Sequence, residues 1–130
     1  MITAFIAGLF EKRPDVICST SPQFFAAVGG WLLSAFRRRP FVFELGDLWP
    51  ASIVAVGAMK RSLPLRLVEK LELFLYRRSA AVAALTYAFK RNLVSRGIEA
   101  SKIWVVRNGV DASRYSVRPR HAGLEADHGL

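Results

Sequence analysis

Glu44 and Asp47 are the residues whose types and placement bear most on chemistry. Both lie in the stretch PFVFELGDLWPASIVAVG from Pro40 to Gly57. Phe41 to Leu45 reads as a short, nearly all-apolar strand, and the polar group Gly46, Asp47, Trp49 and Pro50 follows at once. A carboxylate thus stands where a buried strand ends. In open α/β sheets ligands bind beyond the C-terminal ends of the strands, because the loops leaving them form a crevice floored by the sheet. Alternation of side chains sets Glu44 on the same side as Val42 and Gly46, so it is either buried or at the rim of that crevice. A desolvated carboxylate without a cationic partner has its pKa raised. A purely structural account fits the same residues, with Asp47 capping the next helix and Glu44 meeting an arginine.

The elements that must position these groups follow from periodicity. Met1 to Lys12 is compatible with an apolar helix that is not amphipathic and must therefore be buried or paired. Asp15 to Thr20 gives a strand, and Ser21-Pro22 turns the chain into a helix over Gln23 to Phe36, where Gly29-Gly30 permits close packing. Arg37-Arg38-Arg39 ends that helix in favour of its macrodipole. A helix after Trp49 runs to about Met59. Leu63 to Arg78 follows as another, with Leu67, Val68, Leu71, Phe74 and Leu75 as one wide apolar face. Opposite that face, Arg66, Lys70 and Arg77 align in a basic stripe that holds Leu73 as an exposed leucine. Ala80 to Leu85 is a third strand, Thr86 an N-cap for a helix over Tyr87 to Arg96, and Gly97 its stop. Lys102 to Val106 is the fourth strand, and Asn108-Gly109 turns the chain.

Strands alternating with helices predict an α/β fold, a Rossmann-like parallel sheet with helices on both faces. Right-handed crossovers place all strand C-terminal ends on one edge. That edge gathers Thr20, Ser21, Glu44, Asp47, Thr86 and Asn108, a set of hydroxyls, acids and an amide suited to a polyol. The sequence has no Gly-x-Gly-x-x-Gly, Walker, Gly-x-Ser-x-Gly or Cys-x-x-Cys motif.

Composition bounds the rest. The 130 residues form one domain at most, and 52% hydrophobic content excludes general disorder. Nineteen Lys and Arg against ten Asp and Glu give +9, which favours phosphate-bearing partners. Cys18 in the run Val16-Ile17-Cys18 is expected to be a buried reduced thiol, in keeping with a cytosolic setting. His121 and His128 lack zinc-ligand spacing, so no metal is expected. Phe24 to Leu33 is too short to cross a bilayer, which needs ~20 residues. Ile2 to Phe10 lacks the basic and small-residue flanks of a signal peptide.

The order of the segments PDVICSTSPQF, GGWLLSAF, RRPFVFELGDLWP, VEKLELFLYRRSAAVAALT and VVRNGVDASRY resembles the family 4 glycosyltransferases, in particular the bacterial WbuB type of polysaccharide and O-antigen assembly. The resemblance spans about Met1 to Tyr115. It implies a GT-B fold of two Rossmann-like domains, of which residues 1–115 are part of the N-terminal, acceptor-side domain and residues 116–130 a polar tail opening the interdomain connection. Gly46 stands where many relatives carry a basic or imidazole side chain, and Arg107 where many have proline.

The activity so implied is retaining transfer of a hexosyl-type sugar from a nucleotide sugar to a lipid-linked or saccharide acceptor, without a required metal or cofactor. Asp47 and Glu44 would orient or polarise the acceptor hydroxyl, Trp49 would wall the acceptor site, and Ser21 and Asn108 would be rim contacts. The donor would be held mainly by the other domain, so the 130-residue chain alone is expected to be inactive. Arg66, Lys70 and Arg77 would face an anionic membrane, giving a peripheral protein on the cytoplasmic side of the bacterial plasma membrane. Two other classes compete: a non-catalytic acceptor- or membrane-binding half that recruits a separate donor-binding subunit, and a basic nucleic-acid-binding domain. The last rests on charge alone, and nucleic acid is not the expected partner.

Overall fold

The computed structural model describes residues 2–21, 23–48, 57 and 62–115. Apart from Gly57, the expected helix after Trp49 to about Met59 lies outside the described residues, as do Trp49 itself and the tail 116–130. In chain order the elements are α1 (Ile2–Phe10), β1 (Ile17–Thr20), α2 (Phe24–Arg37), β2 (Phe41–Leu45), α3 (Leu63–Arg78), β3 (Ala81–Ala84), α4 (Tyr87–Ser95), a 3-10 turn at Ala100–Lys102, and β4 (Ile103–Val105).

All strand pairs are parallel, and the order across the sheet is β1-β2-β3-β4. The α/β class and the parallel sheet are those expected. Because each crossover steps to the next strand in the same direction, right-handed connections carry the helices to one face. Phe41, Phe43 and Leu45 of β2, with Val82, Ala84 and Ile103 in register beside them, are buried there with Phe24, Ala27, Leu75, Tyr76 and Leu93 from α2, α3 and α4. Edge-to-face rings lock the layer, Phe43 on Tyr76 at 4.9 Å between centroids and Trp31 on Phe74 at 5.0 Å. Of the two layers of cover expected, the described helices supply this one. The other face carries Cys18, Thr20, Val42, Glu44, Ala83 and Trp104, of which Cys18, Thr20, Glu44 and Trp104 are exposed.

Local chemistry explains the boundaries. The Thr86 hydroxyl accepts from the Phe89 N–H at 3.1 Å and so caps α4, as expected. Gly97 takes φ +82 just beyond that helix, where the Ile98 N–H returns to the Leu93 carbonyl at 3.0 Å. Gly30 is where α2 meets β1. A Cβ there would stand 3.2 Å from the Ser19 Cβ and 3.3 Å from the Phe41 ring, closer still to the Ser19 hydroxyl.

One expectation is met by pairing rather than burial, and two change. α1 buries none of its residues; it leans on α2 through Gly8 against Leu33, and Arg37 donates to the carbonyls of Gly8, Leu9 and Glu11 at 2.8, 2.6 and 2.8 Å. On α3 the buried side runs through Leu65, Glu72, Leu75 and Tyr76, which leaves Leu67 exposed and turns Leu73 half inward against the core. Cys18 is exposed rather than buried, since β1 turns it to the uncovered face.

Replacing Gly30 with valine should cost at least ~2 kcal/mol by overpacking. Gly109→Ala, in open space, should stay within about 0.5 kcal/mol, both read from urea unfolding.

Candidate acceptor crevice

Backbone bonds extend the sheet past the assigned strands and build the rim. The Ser21 N–H reaches the Glu44 carbonyl at 2.9 Å, the Leu85 N–H that of Leu45 at 3.2 Å, and the Val106 N–H that of Ala84 at 2.9 Å. Residues just beyond each strand therefore leave the sheet at one level. Between them, on the uncovered face, lies an open crevice of about 350 Å³ lined by Cys18, Thr20, Glu44, Gly46, Leu85 and Asn108, among others.

Glu44 faces this crevice, at the rim rather than in the core, because alternation from buried Phe43 turns it to the open side. Among the described residues no lysine or arginine stands within salt-bridge distance of it, so the arginine partner weighed from the sequence is not found there. Asn108 lines the same crevice. The carboxylate offers acceptor oxygens and the amide both donor and acceptor, with Thr20 alongside, and this is the inventory that hydroxyl recognition requires.

Ser21 holds a different position from the one expected. It is 5% exposed, beneath the rim. Its hydroxyl accepts from the Gly46 N–H at 3.0 Å and the Asp47 N–H at 3.2 Å, and donates to the Asp47 carbonyl at 3.3 Å. That clamp ties the end of β1 to the loop after β2 and leaves the hydroxyl no free direction for a ligand. Gly46 is compressed into the same joint, with its Cβ direction 3.1 Å from the Ser21 carbonyl oxygen, so a larger residue there would move the clamp.

The clamp parts the two carboxylates. Asp47 is half-buried and is not among the crevice residues. Its charge is felt instead by Tyr76, on the helix-covered side. The Tyr76 hydroxyl is held well above its ordinary pKa, chiefly by burial, then by the charge of Glu72 to which it donates at 2.6 Å, with Asp47 a lesser contributor.

Glu72 was not singled out in the sequence and is the principal buried charge. It is 2% exposed, accepts from Tyr76, and pairs with Arg96 at 3.0 Å. Burial raises its carboxyl pKa, against the opposing pull of the Tyr76 hydroxyl and the Arg96 guanidinium. A glutamate within an apolar helical stripe was the available signal; the partner on another helix was not legible. Cys18, exposed at the crevice, has its thiol pKa raised by partial desolvation there and by the nearby Glu44 charge, and so rests protonated at neutral pH.

Arg66, Lys70 and Arg77 lie together on the exposed side of α3. Arg66 and Lys70 also line, with Leu73, Asn92 and Arg96, a groove of about 440 Å³ between α3 and α4. Among the described residues no three of His, Cys, Asp and Glu converge as metal ligands, and no helix is long and apolar enough to cross a membrane.

A parallel sheet with a polar crevice past its strand ends defines an α/β domain of the kind found in GT-B glycosyltransferases. More particularly, the chain belongs to Glycosyltransferase Family 4, whose family model matches residues 1–114. No curated protein matches it in sequence. Its fold is similar to that of Anabaena HepE in a crystal structure with UDP and glucose, with a TM-score of 0.63 at 22% identity over 98% of this chain and 31% of that one. A second HepE structure, with UDP-glucose, gives 0.60 at 24% identity over 88% and 29%. The chain thus spans about a third of the length of these proteins.

Glu72, with a folded pKa above its ordinary 4.5, contributes stability that is full below that value and is lost as pH rises through the raised one. Arg96→Met removes the cation that opposes this loss. The variant should lose ~3 kcal/mol at pH 7.5 and clearly less at pH 5, by urea unfolding at the two pH values.

Proposed function

We propose that this chain is the acceptor-side part of a glycosyltransferase that takes a sugar from a nucleotide-sugar donor. The observation that carries the reading is the joint one of family membership over residues 1–114 and a crevice that sets Glu44 and Asn108 at the C-terminal edge of the sheet. The binding of UDP-glucose by HepE supports a nucleotide sugar as donor. An acceptor hydroxyl lodged against Glu44 donates a hydrogen bond to the carboxylate, while Asn108 and Thr20 fix the sugar ring beside it. The carboxylate raises the electron density on that oxygen as it attacks the anomeric carbon of the donor. The leaving diphosphate departs from the face that the acceptor enters, taking the electron pair of the broken bond and then the acceptor's proton, and its remaining charge is met outside this segment. Retention of configuration, a hexosyl donor, no need for a metal, and a lipid-linked or polysaccharide acceptor complete the reading.

Of the two carboxylates the geometry favours Glu44 as the group that meets the acceptor. Asp47 lies away from the crevice, and it is its backbone N–H and carbonyl that join the Ser21 clamp. In a longer protein carrying this segment, Glu44→Gln should lower turnover on the order of 10²-fold with little change in thermal stability, because the side chain is exposed. Asp47→Asn, which keeps the main-chain bonds of the clamp, should leave turnover within about twofold. The reverse pattern, with Asp47→Asn abolishing turnover and Glu44→Gln leaving it intact, would exchange the two roles.

The chain alone, which spans about a third of the length of HepE, should give no product when incubated with nucleotide sugars and a lipid-linked acceptor. Turnover proportional to protein concentration would refute the assignment of donor chemistry to a region outside it.

A further inference from the structure

The crevice has two unlike ends. In the sheet register Thr20, Glu44 and Ala83 stand in one row across β1, β2 and β3. The bonds from Leu85 to Leu45 and from Val106 to Ala84 continue that register, so Gly46, Leu85 and Val106 form the next row on the same side. All six line the crevice. Strands ~4.8 Å apart and a rise of ~3.3 Å per residue set the Cα atoms of Glu44 and Val106 roughly 12 Å apart, two strands over and one row on. The positions next to Glu44 are small, a hydrogen at Gly46 and a methyl at Ala83, which leaves a trough suited to one pyranose ring with its substituents. One end of the trough is polar, with the Glu44 carboxylate and the Thr20 hydroxyl. The other is formed by Leu85 and by Val106, 59% exposed, with the Asn108 amide beyond them. Glu44 is the one charged residue among the described residues that line it. Arg107, next to Asn108, is turned the other way onto the Tyr87 ring, 5.4 Å from its centroid.

Building on the acceptor reading above, we infer that the crevice selects an acceptor sugar carrying an N-acyl substituent, in its simplest form an acetamido group, on the side of the ring away from the reacting hydroxyl. With that hydroxyl on Glu44, the far substituent lies over Leu85 and Val106. A hydroxyl placed there leaves water for side chains that offer no hydrogen-bond partner, and an ammonium is desolvated with its counter-charge at the opposite end. An acetamido group matches both parts of this end. Its methyl covers the two apolar side chains, and its amide reaches that of Asn108, which can donate and accept. A bare methyl, as in a 6-deoxy sugar, covers the apolar pair but leaves Asn108 unused. A carboxylate or phosphate substituent meets no cation, since Arg107 is held on Tyr87. Leu85 and Val106 are in this account specificity residues, touching the substituent and not the reacting oxygen.

Binding of methyl glycosides to the 130-residue chain, followed by NMR titration, tests it. Within the gluco and galacto series, the acetamido sugar should bind on the order of tenfold more tightly than the sugar with a hydroxyl or an ammonium at the same carbon, as one well-placed apolar group does. Saturation transferred from the protein should be strongest at the acetyl methyl. Val106→Ser, at an exposed site, should bring the preference to about one, and Asn108→Ala should reduce it. Glu44→Gln should weaken every member of a series by the same factor. Equal binding of the acetamido and hydroxyl sugars, a 6-deoxy sugar preferred over the acetamido one, or a preference that folded Val106→Ser retains would overturn the inference, and sensitivity to Glu44→Gln would then leave the acceptor reading standing. Glycosides that do not bind, or that bind without regard to Glu44→Gln, would remove the acceptor reading and this inference with it.

Discussion

The handedness of the crossovers is the constraint from which the rest of the described structure follows. A right-twisted strand feeding a helix returns to its sheet on one hand only. When successive strands also advance in one direction, as β1 to β4 do, the helices have no choice of face. One side of the sheet then becomes a core of Phe41, Phe43, Leu45, Val82 and Ile103, and the alternate residues are turned the other way. The crevice at Glu44 and the exposed Trp104 share a cause with the core. They are the second half of the same alternation.

That constraint also shows what a sequence reading can reach. Strand β2 and helix α3 were legible to the residue, because an apolar run between turn signals and a long stripe after Pro64 leave few alternatives. The alternation told which residues of β2 stand together and left open which set faces the helices. Only the order of the strands decides that, and the order is a property of pairing between distant segments. The Thr86 cap and the Gly97 stop were legible for the opposite reason, being local chemistry that no tertiary contact overrides.

The site was partly legible in the same sense. Glu44 and Asn108 come together at the strand ends as the topology dictates. Ser21 and Asp47 do not join them, because the hydroxyl bridges the Gly46 and Asp47 amides across the gap between β1 and β2. A serine before proline and an aspartate after a glycine each suggest a surface group, and their mutual engagement has no signature along the chain. Glu72 is a further case. Its place on α3 fits an apolar face, and Arg96, which makes its burial tolerable, enters from another helix.

Arg37 gives α1 its one strong polar attachment to α2. The helix buries no residue of its own, and its last carbonyls converge on a single guanidinium. Elements with so little stake in the interior open at free energies far below that of global unfolding. The amides of α1 are therefore set to exchange with solvent as a separate cooperative unit while those of β2 and β3 stay protected. Their exchange rate becomes a local gauge of one side chain, with no need to melt the sheet.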